Sequence, residues 1–164
     1  MKAVIIYDSD YGNTEQIARA MGQVLGNQED ICVVRVGEVR PEQFQGIDLL
    51  ITGSPTQRFR PTPAISSLLE RMTNNRLKGI RVAAFDTRLT VDEINKTPIL
   101  AFFVRLFGSG AYAARHIAKM LQKNGGELVA PPEGFYVEGT EGPLVQGELE
   151  RAVAWAKKIL VEIQ

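Results

Sequence analysis

The sequence predicts an α/β domain: a five-stranded parallel sheet covered by helices on both faces. Two observations predict it. Short apolar runs rich in β-branched residues alternate along the chain with segments of helical periodicity. Those runs are continuous rather than alternately apolar and polar, which marks strands buried on both faces. The length of 164 residues fits one well-cored domain, and no linker, repeat or low-complexity tract divides it.

The elements follow in order. Lys2–Tyr7 is the first strand. From Glu15, residues Ile17, Ala18, Met21, Val24 and Leu25 share one helical face. Ile31–Val36 is a second strand, and Pro41–Gln45 is at most a short helix. Ile47–Thr52 is a third strand that ends in Gly53-Ser54-Pro55. Ile65, Leu68, Leu69 and Met72 are spaced i, i+3, i+4, i+7 and mark the next helix. Ile80–Phe85 is a fourth strand. Ala114, Ile117, Ala118 and Leu121 define a helix that stops at Gly125-Gly126. Residues 127–138 hold a fifth strand, bent at Pro131-Pro132. The apolar face of a closing helix runs from Leu149 through Ala152, Val153, Ala156, Ile159 and Leu160 to Ile163.

Composition narrows the function. Lys plus Arg equals Asp plus Glu at 19 each, so no basic excess argues for nucleic acid. One cysteine, Cys32, excludes an internal disulfide and fits a reducing compartment. The start lacks signal-peptide character. The longest apolar run, Ile99–Phe107, is shorter than the roughly 20 residues of a membrane span. A cytoplasmic protein is expected.

In such sheets ligands sit beyond the carboxyl ends of the strands. Three loops lie there: Asp8–Thr14, Ser54–Thr62 and Asp86–Leu89. In the first, "SDYGNT", a glycine, the Ser9 and Thr14 hydroxyls and an amide open a helix, where unpaired N–H groups carry partial positive charge. This combination can hold a phosphate without a cationic side chain. The plain structural alternative is that Asn13 or Thr14 caps the helix and Gly12 makes the turn. The loop lacks the Gly-Lys-Ser/Thr of ATP-binding loops and the three glycines of a dinucleotide loop.

"SDYGNT" resembles the FMN phosphate loop of flavodoxins, Ser/Thr-x-Thr/Ser-Gly-x-Thr. "GSPT", Gly53–Thr56, resembles the second flavin loop of flavodoxin-like proteins, notably the flavodoxin domains of flavodiiron proteins. "AFDTR", Ala84–Arg88, stands where the third should be. The resemblance covers nearly the whole chain. It implies a doubly wound three-layer sandwich with strand order 2-1-3-4-5, and FMN as cofactor. By position, Ser9, Asp10, Tyr11, Gly12, Asn13 and Thr14 would wrap the phosphate. Pro55 and Thr56 would meet the ribityl chain, and Gln57, Arg58 and Phe59 the isoalloxazine. Thr87, Arg88 and Leu89 would close its other side, with Ser54 and Asp86 completing the two loops. Tyr11 stands where the pattern has Thr or Ser, and "DTRLTVDE" offers no tyrosine to stack on the ring.

Residues 90–107 read as a helical insertion: Thr90-x-x-Glu93 as a capping box, then Thr97-Pro98 opening "PILAFFVRLF". So apolar a stretch must be covered, by its own core, as a lid on the flavin, or by a homodimer or partner surface at Ile99–Phe107. His116 reads as solvated, Cys32 as a small buried hydrophobe and Trp155 as core. No metal-ligand spacing and no nucleophile–base pair stands out.

The expected function is an FMN-bound electron carrier between redox protein partners, with Arg58, Arg60 and Arg88 favouring the reduced, negatively charged flavin. The alternatives are an FMN-dependent NAD(P)H or quinone oxidoreductase and a flavodoxin-fold interaction module without cofactor.

Overall fold

The computed structural model describes residues 1–72 and 75–163. The elements run β1 (Ala3–Tyr7), α1 (Asn13–Gly22), β2 (Ile31–Arg35), β3 (Leu49–Pro55), α2 (Pro63–Arg71), β4 (Arg81–Leu89), α3 (Val91–Asn95), α4 (Pro98–Phe107), α5 (Ala113–Lys123), β5 (Glu127–Leu128), β6 (Glu133–Val137) and α6 (Glu148–Glu162). Pro41–Phe44 forms a single 3-10 turn.

All strand pairs are parallel and the sheet order is β2-β1-β3-β4-β5, with β6 also on β4. β1 is an interior strand: Tyr7 lies opposite Arg35 on one side and Gly53 on the other. The fifth position is where the structure departs from a bent five-stranded sheet, because six strands are present among the described residues. β5 pairs only with the start of β4, at Arg81 and Val82, and β6 pairs with its far end from Phe85 to Leu89. Pro131 and Pro132 lie between the two. Proline has no N–H for the ladder, so the strand breaks there and restarts.

Two strands also run further than their apolar stretches. β3 extends through Ser54-Pro55 and β4 through Asp86–Leu89, held together at Ser54↔Asp86 and Pro55↔Thr87. The third expected loop is therefore strand. Its polar residues alternate between the two sheet faces, which decides where each side chain goes.

Each face of the sheet has its own core. Ile5, Ile51, Phe85 and Phe135 meet Ile17 and Met21 of α1 and Trp155 and Ile159 of α6. Val4, Ile6, Leu50 and Val82 meet Ile65 and Leu69 of α2 and Ile117 and Leu121 of α5. Each such side chain, fully buried, contributes about 1.5–3 kcal/mol. Trp155 packs edge-on to Phe85 and Phe135, with ring centroids 6.5 and 6.3 Å away. Cys32 is half-buried and accepts from the Gln43 amide at 3.4 Å. His116 is half-buried too, 3.0 Å from the Gly110 carbonyl.

Residues 90–107 form α3 and α4 between β4 and α5. Thr90 Oγ1 accepts from Glu93 N–H at 3.2 Å and starts α3. Thr97 precedes Pro98 at the start of α4, but its side chain makes no capping bond. No residue of α4 is buried. Its inner side carries Leu100, Phe103 and Val104, and its outer side leaves Ile99, Phe102 and Leu106 60–64% exposed.

Candidate functional site

The carboxyl ends of β1, β3 and β4 and the loop after β6 enclose a cavity. Its lining includes Ser9, Asp10, Tyr11, Asn13, Thr14, Pro55, Thr56, Gln57, Thr87, Arg88 and Leu89. Val137 and Thr140 complete it, and neither stands out in the sequence.

The first loop is shaped around the start of α1. Gly12 has φ 86°, a left-handed conformation that only glycine adopts without strain. It takes the N-cap position, and no side chain caps the helix. The α1 N–H groups that open toward the loop are thus left for a ligand. Asn13 and Thr14 are buried but do not cap. Asn13 Nδ2 instead donates to the Glu141 carbonyl at 3.0 Å, tying the helix start to the 138–143 loop. Thr14 and Thr87 share a hydrogen bond between hydroxyls at 2.8 Å. One proton lies between those oxygens, so the other remains to be donated. Ser9 Oγ accepts from Gly12 N–H at 3.0 Å and keeps its own proton to give.

The loop contains no cation, yet one braces it from outside. Arg35, at the end of β2, donates to the Ser9 carbonyl at 2.8 Å and lies 3.6 Å from Asp8. Register places it: Arg35 is the β2 residue opposite Tyr7. No local pattern in the sequence distinguishes it.

The second loop begins with a tight turn. Gln57 and Arg60 exchange both backbone hydrogen bonds at 2.9 Å, and Arg58 and Phe59 have φ 47° and 68°. Two left-handed residues make a type I′ turn, a conformation that costs non-glycine residues roughly 1–2 kcal/mol each. The turn is held at both ends. The Gln57 amide donates to Asp10, and the Phe59 ring lies 5.4 Å from Phe103 of α4. Beneath the turn, Arg58, Phe59, Leu89, Leu100, Val104 and Tyr112 line a second cavity of about 190 Å³. It shares Thr56, Arg88 and Leu89 with the first.

Ser54 and Asp86 turn inward and support the site from below. Ser54 Oγ accepts from Thr62 N–H at 2.9 Å and donates to the Pro55 carbonyl, which fixes the second loop against the start of α2. Asp86 is fully buried. It accepts two bonds from Arg88, at 2.6 and 2.8 Å, and one from Ala114 N–H at 2.8 Å. Burial pushes its carboxyl up, opposed by Arg88, by the Ala114 N–H and by the Thr56 hydroxyl. Arg88 also lies 3.8 Å over the Tyr112 ring. Gly134 makes room for it, since a Cβ there would fall 2.1 Å from the guanidinium carbon. The Arg88 charge is therefore neutralised on the α5 side of the sheet and is not an isolated cation at the cavity. Arg58 is exposed, and none of the ion pairs among the described residues includes it.

Among the sixteen residues expected at the site, eleven line the first cavity and Gly12 shapes its loop. Arg58 and Phe59 line the adjoining cavity, while Ser54 and Asp86 hold the scaffold. Tyr11, 55% exposed, is the aromatic side chain on the first cavity's lining.

A family model described as a flavodoxin domain matches residues 4–129. The flavodoxin-like domain-containing protein BilS of Clostridium symbiosum (strain WAL-14163) is 29% identical over 156 residues, covering 92% of this chain and 73% of that protein. Among solved structures, a flavodoxin from the domain Archaea superposes with a TM-score of 0.75 at 18% identity, covering 99% of both chains. Oxidised Flavodoxin 1 from Bacillus cereus gives 0.73 at 17%, covering 98% of both. The rubredoxin oxygen:oxidoreductase of Desulfovibrio gigas gives 0.72 at 18%, over 99% of this chain and 36% of that one.

Proposed function

The chain belongs to the flavodoxin domain family, and on that premise we propose that it holds one FMN at the strand ends and carries electrons between redox proteins. The observation that carries this reading is the start of α1, uncapped, with Ser9, Asn13 and Thr14 around it. A dianionic phosphate fits that donor set. The helix N–H groups, the Ser9 hydroxyl and the spare proton of the Thr14–Thr87 pair would bind it, and Arg35 would offset Asp8 behind the loop. Pro55 and Thr56 would flank the ribityl chain, and Tyr11, Leu89 and the 57–60 turn the ring. FMN, when bound, supplies the redox chemistry; the protein's part is to orient it, exclude water and set the surrounding charge.

Replacing Ser9 and Thr14 by alanine together tests the reading. Hydrogen bonds to a charged group contribute about 1.5–3 kcal/mol each, so the FMN dissociation constant should rise roughly a hundredfold or more. Riboflavin, which has no phosphate, should be affected far less. Equal losses for the two ligands would remove the phosphate from residues 9–14. The cavity beneath the 57–60 turn favours a second reading, an FMN-dependent NAD(P)H or quinone reductase. Anaerobic bleaching of the flavin by NADH or NADPH alone would support it. A purified protein that takes up no FMN would leave only an interaction module.

A further inference from the structure

We propose that α5, the α2–α5 groove and the outer side of α4 form a docking surface for an acidic electron-transfer protein, an inference that rests on the electron-carrier reading. Charge is segregated in this chain. Between Leu49 and Lys123 lie 12 of the 19 Lys and Arg residues but only 4 of the 19 Asp and Glu. That stretch contains α2, α4, α5 and the 57–60 turn.

The segregation is spatial. Arg115, Lys119 and Lys123 are exposed and spaced four apart on α5, so they form one ridge. Arg60 faces Lys119 and Lys123 across a groove of about 670 Å³ between α2 and α5, which holds a single acid, Glu70. Arg115 donates to Ser109 just beyond α4, Arg105 lies on α4, and Arg58 lines the cavity beneath it. None of these six cations is in an ion pair among the described residues. Clustered like charges repel one another, and an unpaired cluster of one sign attracts a partner of the other.

Arg105 on α4 itself and Arg115, hydrogen-bonded to Ser109 just past its end, stand beside an exposed apolar strip. Ile99, Phe102 and Leu106 of α4 are 60–64% exposed, and exposed apolar side chains grouped on one helix mark an interaction surface. An apolar patch with polar residues beside it is the anatomy of a protein–protein interface. The surface also adjoins the site: Gln57, Arg58 and Arg60 of one turn line the flavin-site cavity, the cavity under α4 and the basic groove in succession. A partner seated there lies beside the strand ends. A nucleic acid leaves the exposed apolar strip of α4 uncovered.

The test uses the full chain loaded with FMN, reduced anaerobically, and two acceptors that share one haem: native cytochrome c, which is cationic, and its lysine-succinylated form, which is anionic. At low salt the succinylated form should be reduced faster. Its rate should fall about tenfold or more as salt is raised toward several hundred millimolar, because the Debye length shrinks below the span of the patch. Lys119→Glu/Lys123→Glu should reverse the preference, whereas Lys157→Glu on α6 should leave it intact. Phe102→Ser/Leu106→Ser should slow both acceptors without changing the salt dependence. Faster reduction of native cytochrome c, or an unchanged preference in Lys119→Glu/Lys123→Glu, overturns the proposal. So does equally tight, salt-matched binding of phosphatidylglycerol vesicles or duplex DNA. Flavin absorbance is read separately in every variant. A colourless wild-type protein overturns the electron-carrier reading, and salt-sensitive binding of succinylated cytochrome c to it, or the lack of such binding, then decides the surface alone.

Discussion

At the scale of single residues, the buried Asp86–Arg88 pair ties charge to stability. Its geometry is favourable and both partners are shielded from water, at 0% and 16% side-chain exposure. Removing one partner of such a pair strands the other's charge. Arg88→Met keeps the chain length over Tyr112 and leaves Asp86 alone. Without Arg88, burial pushes the Asp86 carboxyl further up. An acid whose folded pKa lies above its unfolded value, about 3.9, destabilises the fold once it ionises. The penalty is absent below the unfolded value and grows as pH rises toward the folded one. Arg88→Met should therefore cost about 3–5 kcal/mol at pH 7 and lose most of that cost near pH 4. Urea unfolding across that range measures it, and a pH-independent deficit would show that Asp86 finds another partner. The second half of the test is Asp86→Asn in the Arg88→Met background, which should recover much of the loss and flatten the pH dependence.

At the scale of elements, the two sides of α4 should behave differently. Phe103 packs against Phe59 and stacks on Phe107 at 5.9 Å, whereas Phe102 is 60% exposed. Phe103→Ser should cost about 2 kcal/mol, below the 3–5 of a fully buried phenylalanine, and Phe102→Ser within about 0.5. Equal costs in urea midpoints, rising with protein concentration, would mean that a second copy covers the outer side. The helices and the first strands were legible because burial on both faces imposes continuous apolar runs and burial on one imposes a 3.6-residue period. The ends of β3 and β4 were not. Ser54, Asp86, Thr87 and Arg88 are polar, so composition reads them as loop, but neighbouring strands on both sides of β4 keep that segment extended. Arg35, Thr140 and the Glu141 carbonyl were illegible for a different reason. They reach the site through strand register and chain return, which no local spacing encodes. The three candidate-site segments were legible because each begins where an apolar run gives way to polar residues, as a loop after β1 and as the polar ends of β3 and β4 themselves. Only the alternation of side chains along extended β4 separates Thr87, which faces Thr14, from Asp86, which faces α5.

At the scale of the whole molecule, two cores share one sheet. Side chains of β1 alternate between them: Ile5 belongs to the α1/α6 core, Val4 and Ile6 to the α2/α5 core. Neither helical layer can leave without exposing the other's strands, so the chain should unfold as one unit. The single tryptophan makes this measurable. Trp155 sits in the α1/α6 core and reports only on it. Ile117 lies in the opposite core, fully buried, and its truncation to alanine should cost about 2–5 kcal/mol. If the sheet couples the layers, Ile117→Ala should shift the Trp155 fluorescence midpoint in urea as far as the far-ultraviolet circular dichroism midpoint. Ile159→Ala, in the Trp155 core, should do the same from the other side. The two residues share no core, so their costs should add in the double variant to within about 0.5 kcal/mol. A Trp155 transition that stays in place while the circular dichroism transition splits in Ile117→Ala would show that the α2/α5 layer melts by itself. The docking surface would then lie on a layer that opens independently of the strands holding the α1 start.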